Sequence, residues 1–295
     1  MIGLALWRMA RPLQLLSIFL VYTVGCLAAC AAGAAFNAGA FAWGWAALVV
    51  LSVSIHYINE AADYETDALT VRTPFSGGSG VLPGGAITRS AAYQAAYIAL
   101  GIGVGIALLG GLAGAIPPSA LLILGIGTFG GWMYSAPPLK LAWRGWGELD
   151  NALLGGLLLP LCGFAMVTTV TVEAVCAFIP FTLLVFTNLL ATTWSDRAAD
   201  AQVGKYTLAT FVPAGWLRRL YVVVLIAACV WFAACVGGAI PVSLAWMILP
   251  ALPLMAWGAA RYTRTESPHA SVTLMVVFLV AQLVGWGAAA LRVTG

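Results

Sequence analysis

The chain has 295 residues, of which 62% are hydrophobic and only 8% charged, with a formal net charge of +3. A soluble globular domain keeps about a quarter of its residues charged; this composition excludes one, and a mean hydropathy of +1.00 places the chain in a bilayer. The expected fold class is an all-α integral membrane protein, and so small a net charge gives no ground for a nucleic-acid partner.

Apolar runs close to the roughly 17–25 residues that cross a bilayer as a helix fall at 13–35, 40–58, 90–113, 119–136, 151–172, 174–195, 220–238, 240–258 and 270–291. This predicts nine spans within one domain over 1–295. The first run, about 23 residues long, exceeds the h-region of a cleaved signal peptide, so it is read as a retained helix.

The second span runs into Asn59, Asp63 and Asp67 at steps of four. A four-residue step turns an α-helix by about 400°, so these side chains share one stripe that rises about 6 Å per step. The following loop, Ser76-Gly77-Gly78-Ser79-Gly80 and Pro83-Gly84-Gly85, has the flexibility of a lid. The third span contains Gly101-Ile102-Gly103-Val104-Gly105. With no strand before it this is no phosphate loop; its glycines suit close helix packing in lipid.

The fourth span ends in Trp132 and Tyr134, expected at a cavity mouth, and leads to Lys140 and Arg144. Glu148 and Asp150 open the fifth span and are third-choice site residues, since capping of that helix accounts for them without chemistry. The nearly continuous apolar stretches are cut at Thr168–Glu173 and at Gly237-Gly238-Ala239-Ile240-Pro241. Past the sixth span come Asp196 and Asp200, again one helical step apart, then Gly204-Lys205-Tyr206-Thr207.

Of the ten acidic residues, eight fall in the clusters Glu60–Asp67, Glu148–Asp150 and Asp196–Asp200. Acidity so concentrated marks a site. Threading nine spans places Arg8, Arg11, Arg72, Arg89, Lys140, Arg144, Arg197, Lys205, Arg218, Arg219, Arg261 and Arg264 on the face of the Asp motifs and only Arg292 opposite. By the positive-inside rule that face is cytoplasmic. The N-terminus is then inside and the C-terminus outside, in a multi-pass protein of the inner (plasma) membrane. The six cysteines lie in or beside spans with no CxxC pairing and read as small packing residues.

Two carboxylate stripes face to face make an oxygen-rich cage for hard divalent cations such as Mg²⁺. At span ends they stay wet and avoid the cost of about 2.5–3.5 kcal/mol per charge at the bilayer centre. Four carboxylates carry about −4 and an organic diphosphate about −3, so two Mg²⁺ ions bring the total to about −3. Arg72, Lys140, Arg144, Arg197 and Lys205 are available to cover the remainder. Carboxylates, cations and a lipid-facing cavity together suit an isoprenyl diphosphate, with Mg²⁺ acting as Lewis acid on the leaving group and aromatic faces stabilising an allylic cation. His56, one turn before Asn59, either touches the acceptor or is held by a hydrogen bond. A secondary transporter with acidic ion sites is the competing class, because two similar motifs four helices apart resemble an internal repeat.

Asn59-Glu60-Ala61-Ala62-Asp63-Tyr64-Glu65-Thr66-Asp67 resembles the first motif of the UbiA-type intramembrane prenyltransferases, Asp196-Arg197-Ala198-Ala199-Asp200 the second, and Tyr134-Ser135-Ala136-Pro137-Pro138-Leu139-Lys140 the segment between helices four and five. The resemblance covers essentially the whole chain. It implies nine transmembrane helices around a central cavity, a cytoplasmic cap formed by the two motif loops, and Mg²⁺-dependent transfer of a prenyl group to an acceptor. Many relatives carry Asn or Asp one turn before the second motif, where this chain has Thr192. Thr73-Pro74-Phe75-Ser76-Gly77-Gly78-Ser79-Gly80-Val81-Leu82 and Gly204-Lys205-Tyr206-Thr207-Leu208 look most like the menaquinone-pathway branch, which prenylates a dihydroxynaphthoate. Tyr134 to Leu141 is similar to the segment in chlorophyll and bacteriochlorophyll synthases. An aromatic acceptor in quinone biosynthesis is the expectation, with tetrapyrrole, glycerol phosphate or other lipid acceptors as alternatives.

Overall fold

A computed structural model of the chain describes residues 2–70, 72 and 77–294. It consists of α1 (Ile2–Met9), α2 (Pro12–Ala31), α3 (Ala38–Ala62), α4 (Tyr64–Leu69), α5 (Arg89–Leu112), α6 (Pro118–Ser135), α7 (Gly147–Ala152), a π-helical turn (Leu153–Leu158), α8 (Leu159–Val167), α9 (Val172–Gln202), α10 (Leu208–Phe211), α11 (Ala214–Cys235), α12 (Val242–Ile248), α13 (Ala251–Arg261) and α14 (His269–Thr294). Starts are set locally: Asn37, Thr88 and Thr171 accept the N–H groups of Ala40, Ala91 and Ala174, while Pro12 and Pro118 occupy first-turn positions that need no donor.

Among the described residues, seven helical stretches are long and apolar enough to cross a membrane. They cover the predicted spans except 119–136 and 240–258. The first of these is α6, only 18 residues long, whose glycines dilute its hydropathy. The second is divided at Leu249 and Pro250 into α12 and α13 of 7 and 11 residues, as a proline that cannot donate to the preceding turn requires. The predicted cut at Gly237–Pro241 falls between helices, and that at Thr168–Glu173 overlaps the break between α8 and α9, with Val172 and Glu173 already in α9.

Helix contacts are built on glycine. A Cβ at Gly25 would overlap the Pro160 carbonyl oxygen, and one at Gly163 would overlap that of Tyr22, so α2 and α8 cross backbone to backbone. Gly163→Ala should therefore lower stability by about 1–3 kcal/mol through overpacking, read as a reduced melting temperature in detergent; an unchanged transition would show that the crossing tolerates displacement. The cysteines are all free, and Cys26 donates to the Gly163 carbonyl at 3.1 Å inside this crossing, in keeping with a packing role.

At 1.5 Å per residue, the 31 residues of α9 span about 46 Å, well beyond the roughly 30 Å of hydrocarbon in a bilayer. The surplus is the end that carries Asp196 and Asp200, so the second motif lies on helix and not on a loop. Directly against α9, the π turn replaces α-helix where Gly156 meets the backbone of Thr182 so closely that a Cβ would overlap it. Leu154, Gly155 and Leu158 of that turn line the central cavity.

Candidate active site

The cavity has a volume of about 540 Å³ and is lined at one end by Asn59, Asp63, Asp67, Asp196, Asp200 and Lys205. Its deeper walls are apolar, with Ile18, Leu48, Leu124, Leu159, Phe181 and Leu279 among them. The two motifs, more than a hundred residues apart in sequence, thus share one space.

The first motif is bent. Helix α3 stops at Asp63 (φ −90°, ψ 12°) and α4 resumes at Tyr64, yet the Asp67 N–H still donates to the Asp63 carbonyl at 2.8 Å, which preserves the stripe through the bend. Asn59 donates its amide to Asp63 Oδ2 at 2.7 Å and to Ser135 Oγ at 3.0 Å. The other two acids of this cluster have structural partners. Glu65 pairs with Arg89. Glu60, 1% exposed, accepts from Arg11 Nε at 2.9 Å and from the Ser79 N–H and hydroxyl at 2.8 and 2.5 Å. Asp63 and Asp67 remain for the cavity.

At the second motif, α9 ends on Gly204 (φ +72°), a left-handed step that glycine takes without steric cost. The chain doubles back so that the Lys205 N–H donates to the Asp200 carbonyl at 2.8 Å. Its ammonium then stands 3.3 Å from Asp63 Oδ1 and 3.6 Å from Asp200 Oδ1, joining the two motifs. Burial opposes the Lys205 charge, but Asp63 and Asp200 more than offset it and hold its pKa above the usual lysine value. Asp67 is the opposite case. Burial, then the nearby Asp63 and Glu60, push its carboxyl up to about 7, with Arg11 and Lys205 compensating only in part.

The loop after α4 rests on this carboxyl. Gly78 has φ +58°, and a Cβ there would overlap Asp67 Oδ2. Thr73–Ser76, the first part of the predicted lid and of the menaquinone-like run, lie outside the described residues. Gly78→Ala should raise the Mg²⁺ concentration needed for half-maximal activity by about tenfold, the usual scale for disturbing a group behind a metal ligand. A normal Mg²⁺ dependence would separate the loop from the carboxylates.

Other expected site residues take different places. His56 lines the cavity and donates from Nδ1 to the Ala10 carbonyl at 2.7 Å, a direction the carbonyl dictates. Tyr134 and Thr192 also line it, Thr192 Oγ1 donating to the Leu189 carbonyl at 3.1 Å. Trp132 does not reach the mouth: it is buried and donates to Ser54 Oγ at 3.0 Å. Arg72, Lys140 and Arg144 are exposed, and none of them is among the lining residues. Lys140 instead covers the Trp143 ring at 5.5 Å. Arg197 covers the Trp194 ring at 4.0 Å and pairs with Glu266 at 3.1 Å, also off the wall. Glu148 does not cap its own helix; it accepts the Leu208 N–H of α10 at 3.0 Å. Asp150 faces α6 near Gly130 and is not part of the cavity wall.

Three lining features were not among the residues expected at the site. Arg11 enters from the corner before α2, and Asn151 enters from the end of α7. Asn188, 9% exposed, has an Oδ1 with no hydrogen-bond partner. Asn188 continues the four-residue series of Thr192, Asp196 and Asp200, a signal the sequence did contain.

Among the described residues no three His, Cys, Asp or Glu side chains stand close enough to enclose an ion by themselves. Mg²⁺ does not require such a cage: it keeps several waters and is commonly held by one or two carboxylates together with substrate phosphates. Hard oxygen donors, the buried Asp200 Oδ1 without a hydrogen bond and the reluctantly ionised Asp67 fit that ion.

The model of the UbiA prenyltransferase family matches residues 18–283. The chain belongs to this family. Family membership makes it a prenyltransferase and removes the transporter alternative. Its fold is that of solved UbiA homologues. One from Archaeoglobus fulgidus, bound to DMAPP and Mg²⁺, is 19% identical over 96% of this chain and 98% of that one, with a TM-score of 0.66. Another, from Aeropyrum pernix K1, is 16% identical over 94% and 97%, with a TM-score of 0.61. A digeranylgeranylglyceryl phosphate synthase is 17% identical over 96% and 98%, with a TM-score of 0.67. No curated protein matches the chain.

Proposed function

We propose that the chain, acting as one domain over 1–295, transfers an isoprenyl group from an isoprenyl diphosphate to a hydroxylated aromatic acceptor of quinone biosynthesis, of the dihydroxynaphthoate kind. The observation that carries this reading is a single cavity in which Lys205 joins both Asp motifs and whose remaining wall is mostly apolar. Such a space takes a charged head and a hydrocarbon tail at once. In this reading α6 and the broken α12–α13 pair complete nine crossings around the cavity. The motif ends form its cytoplasmic cap in the inner membrane, with the N-terminus inside.

Asn59, Asp63 and Asp67 on one side and Asp196 and Asp200 on the other would hold two Mg²⁺ ions. The family relative bound to DMAPP and Mg²⁺ supports that choice of metal and donor. Bound there, the ions supply Lewis-acid polarisation of the departing diphosphate. Lys205 and Arg11 neutralise its oxygens. Arg72, Lys140, Arg144 and Arg197, standing off the wall, draw the anion toward the mouth through their field. The buried stripe of apolar side chains excludes water from the allylic cation, and Tyr134 offers it an aromatic face.

The acceptor follows from what the wall lacks. Among the described lining residues, the permanent cations are Arg11 and Lys205, both engaged by the isoprenyl diphosphate in this reading. A second phosphate, as on a glycerol phosphate, would find no free cation. A tetrapyrrole would compete with the prenyl chain for about 540 Å³. A small planar phenol fits both limits.

Membranes supplied with an isoprenyl diphosphate and, separately, dihydroxynaphthoate, hydroxybenzoate, chlorophyllide and glycerol phosphates should yield a mass-identified product with the small aromatics. A product with chlorophyllide alone would contradict the aromatic reading. Orientation has its own test. With the six native cysteines replaced, a cysteine at the exposed Ala86 should react with a membrane-impermeant thiol reagent in inverted vesicles, whereas labelling from outside intact cells would reverse the topology.

A further inference from the structure

Glu148 is 2% exposed and lines the same cavity as the Asp motifs. Its Oε1 accepts the Leu208 N–H at 3.0 Å, while Oε2 has no hydrogen-bond partner. A buried carboxylate oxygen left bare is costly unless something entering the cavity donates to it. The residue is held firmly. A Cβ at the neighbouring Gly147 would come 2.8 Å from Ala142 Cα and 3.3 Å from the Tyr134 ring, so the start of α7 is pressed against the end of α6. Around Glu148, close enough to act on it electrostatically or to be acted on by it, stand Lys205 beyond α9, Tyr134 from α6 and Tyr262 following α13, while the Thr193 hydroxyl of α9, whose proton goes to the Leu189 carbonyl at 2.9 Å, is a hydrogen-bonding neighbour of the carboxyl. Lys205 therefore feels the charge of Glu148 as well as pairing with Asp63 and Asp200.

We propose that Glu148 Oε2 is the base that takes the hydroxyl proton of the acceptor during prenyl transfer. The inference rests on the proposed function. The O–H bond of the acceptor breaks with its electron pair left on the aromatic system, and the proton goes to Glu148. The ring carbon made electron-rich in this way bonds to C1 of the isoprenyl group, while the C1–O bond breaks and its pair leaves on diphosphate. The ring C–H proton then returns to the oxygen, and the proton on Glu148 passes to the departing diphosphate, restoring the carboxylate. One proton leaves the acceptor for each prenyl group gained. The unpartnered Asn188 Oδ1 gives a second hydrogen-bond acceptor for such a hydroxylated molecule.

The experiment compares wild type with Glu148→Gln, which keeps an oxygen for the Leu208 N–H. The panel is a set of phenolic acceptors of graded hydroxyl acidity, and binding of an isoprenyl thiolodiphosphate is measured alongside transfer. E148Q should bind the thiolodiphosphate within about twofold of wild type yet transfer about a hundredfold or more slowly, the usual scale for a lost general base. The deficit should shrink as the acceptor hydroxyl becomes more acidic. A rate within about threefold of wild type, or a deficit equal for every acceptor, overturns the assignment. If E148Q does not fold, Glu148→Asp is read by the same criterion, since a displaced base should also lose least with the most acidic acceptor. Wild-type protein that forms no product with any phenol contradicts the proposed function itself, and the base with it.

Discussion

Asp63→Asn and Asp196→Asn should each lower prenyl transfer by about a thousandfold or more while leaving the protein folded. Both substitutions are nearly isosteric and lie at the wet end of the cavity, so packing is kept. What goes is one hard anionic oxygen from each stripe, and with it the charge balance that lets an anionic head group enter beside four carboxylates. Transfer rates over a range of Mg²⁺ concentrations check this against melting temperature. Near-normal turnover of either variant at saturating Mg²⁺ would mean that the stripes do not hold the metal.

Lys205→Met should cost about a hundredfold in transfer and also destabilise the protein. Its ammonium, 12% exposed, bridges Asp63 and an Asp200 side chain that is 2% exposed. Removing one partner from a buried ion pair leaves an uncompensated charge and costs about 3–5 kcal/mol. Added Mg²⁺ should recover part of the lost melting temperature in K205M, because a divalent cation replaces the missing charge between the same two carboxylates. A variant as stable as wild type without metal would show that Lys205 is not the link between the motifs.

Much of this architecture was legible in the chain. Polar residues at four-residue steps stand out against an apolar background, so Asn59, Asp63, Asp67, Asp196 and Asp200 declared their helical faces, and the fold brings them to one cavity. Seven of the nine expected spans were equally readable among the described residues, since hydrocarbon thickness imposes a length. The pattern failed where side chains are long or helices depart from ideal. Arg72, Lys140, Arg144 and Arg197 were expected in the site because they sit on the right face. A cation at a helix end has several rotatable bonds, however, and its direction is set by partners such as Trp143, Trp194 and Glu266 that spacing does not reveal. Arg11 belongs to the site because a left-handed residue at φ 52° turns the chain corner toward Glu60, 49 positions away. The π turn at Leu153–Leu158 and the role of Glu148 toward α10 depend on tertiary contacts of the same kind.

The most direct test is a mass balance on purified wild-type protein in lipid nanodiscs, given labelled isoprenyl diphosphate and dihydroxynaphthoate with either Mg²⁺ or a chelator. Metal-dependent prenyl transfer requires one diphosphate released for each prenylated aromatic formed, with both products absent under chelation. Product formed at the same rate without divalent metal, or diphosphate released with no covalent product, would contradict it.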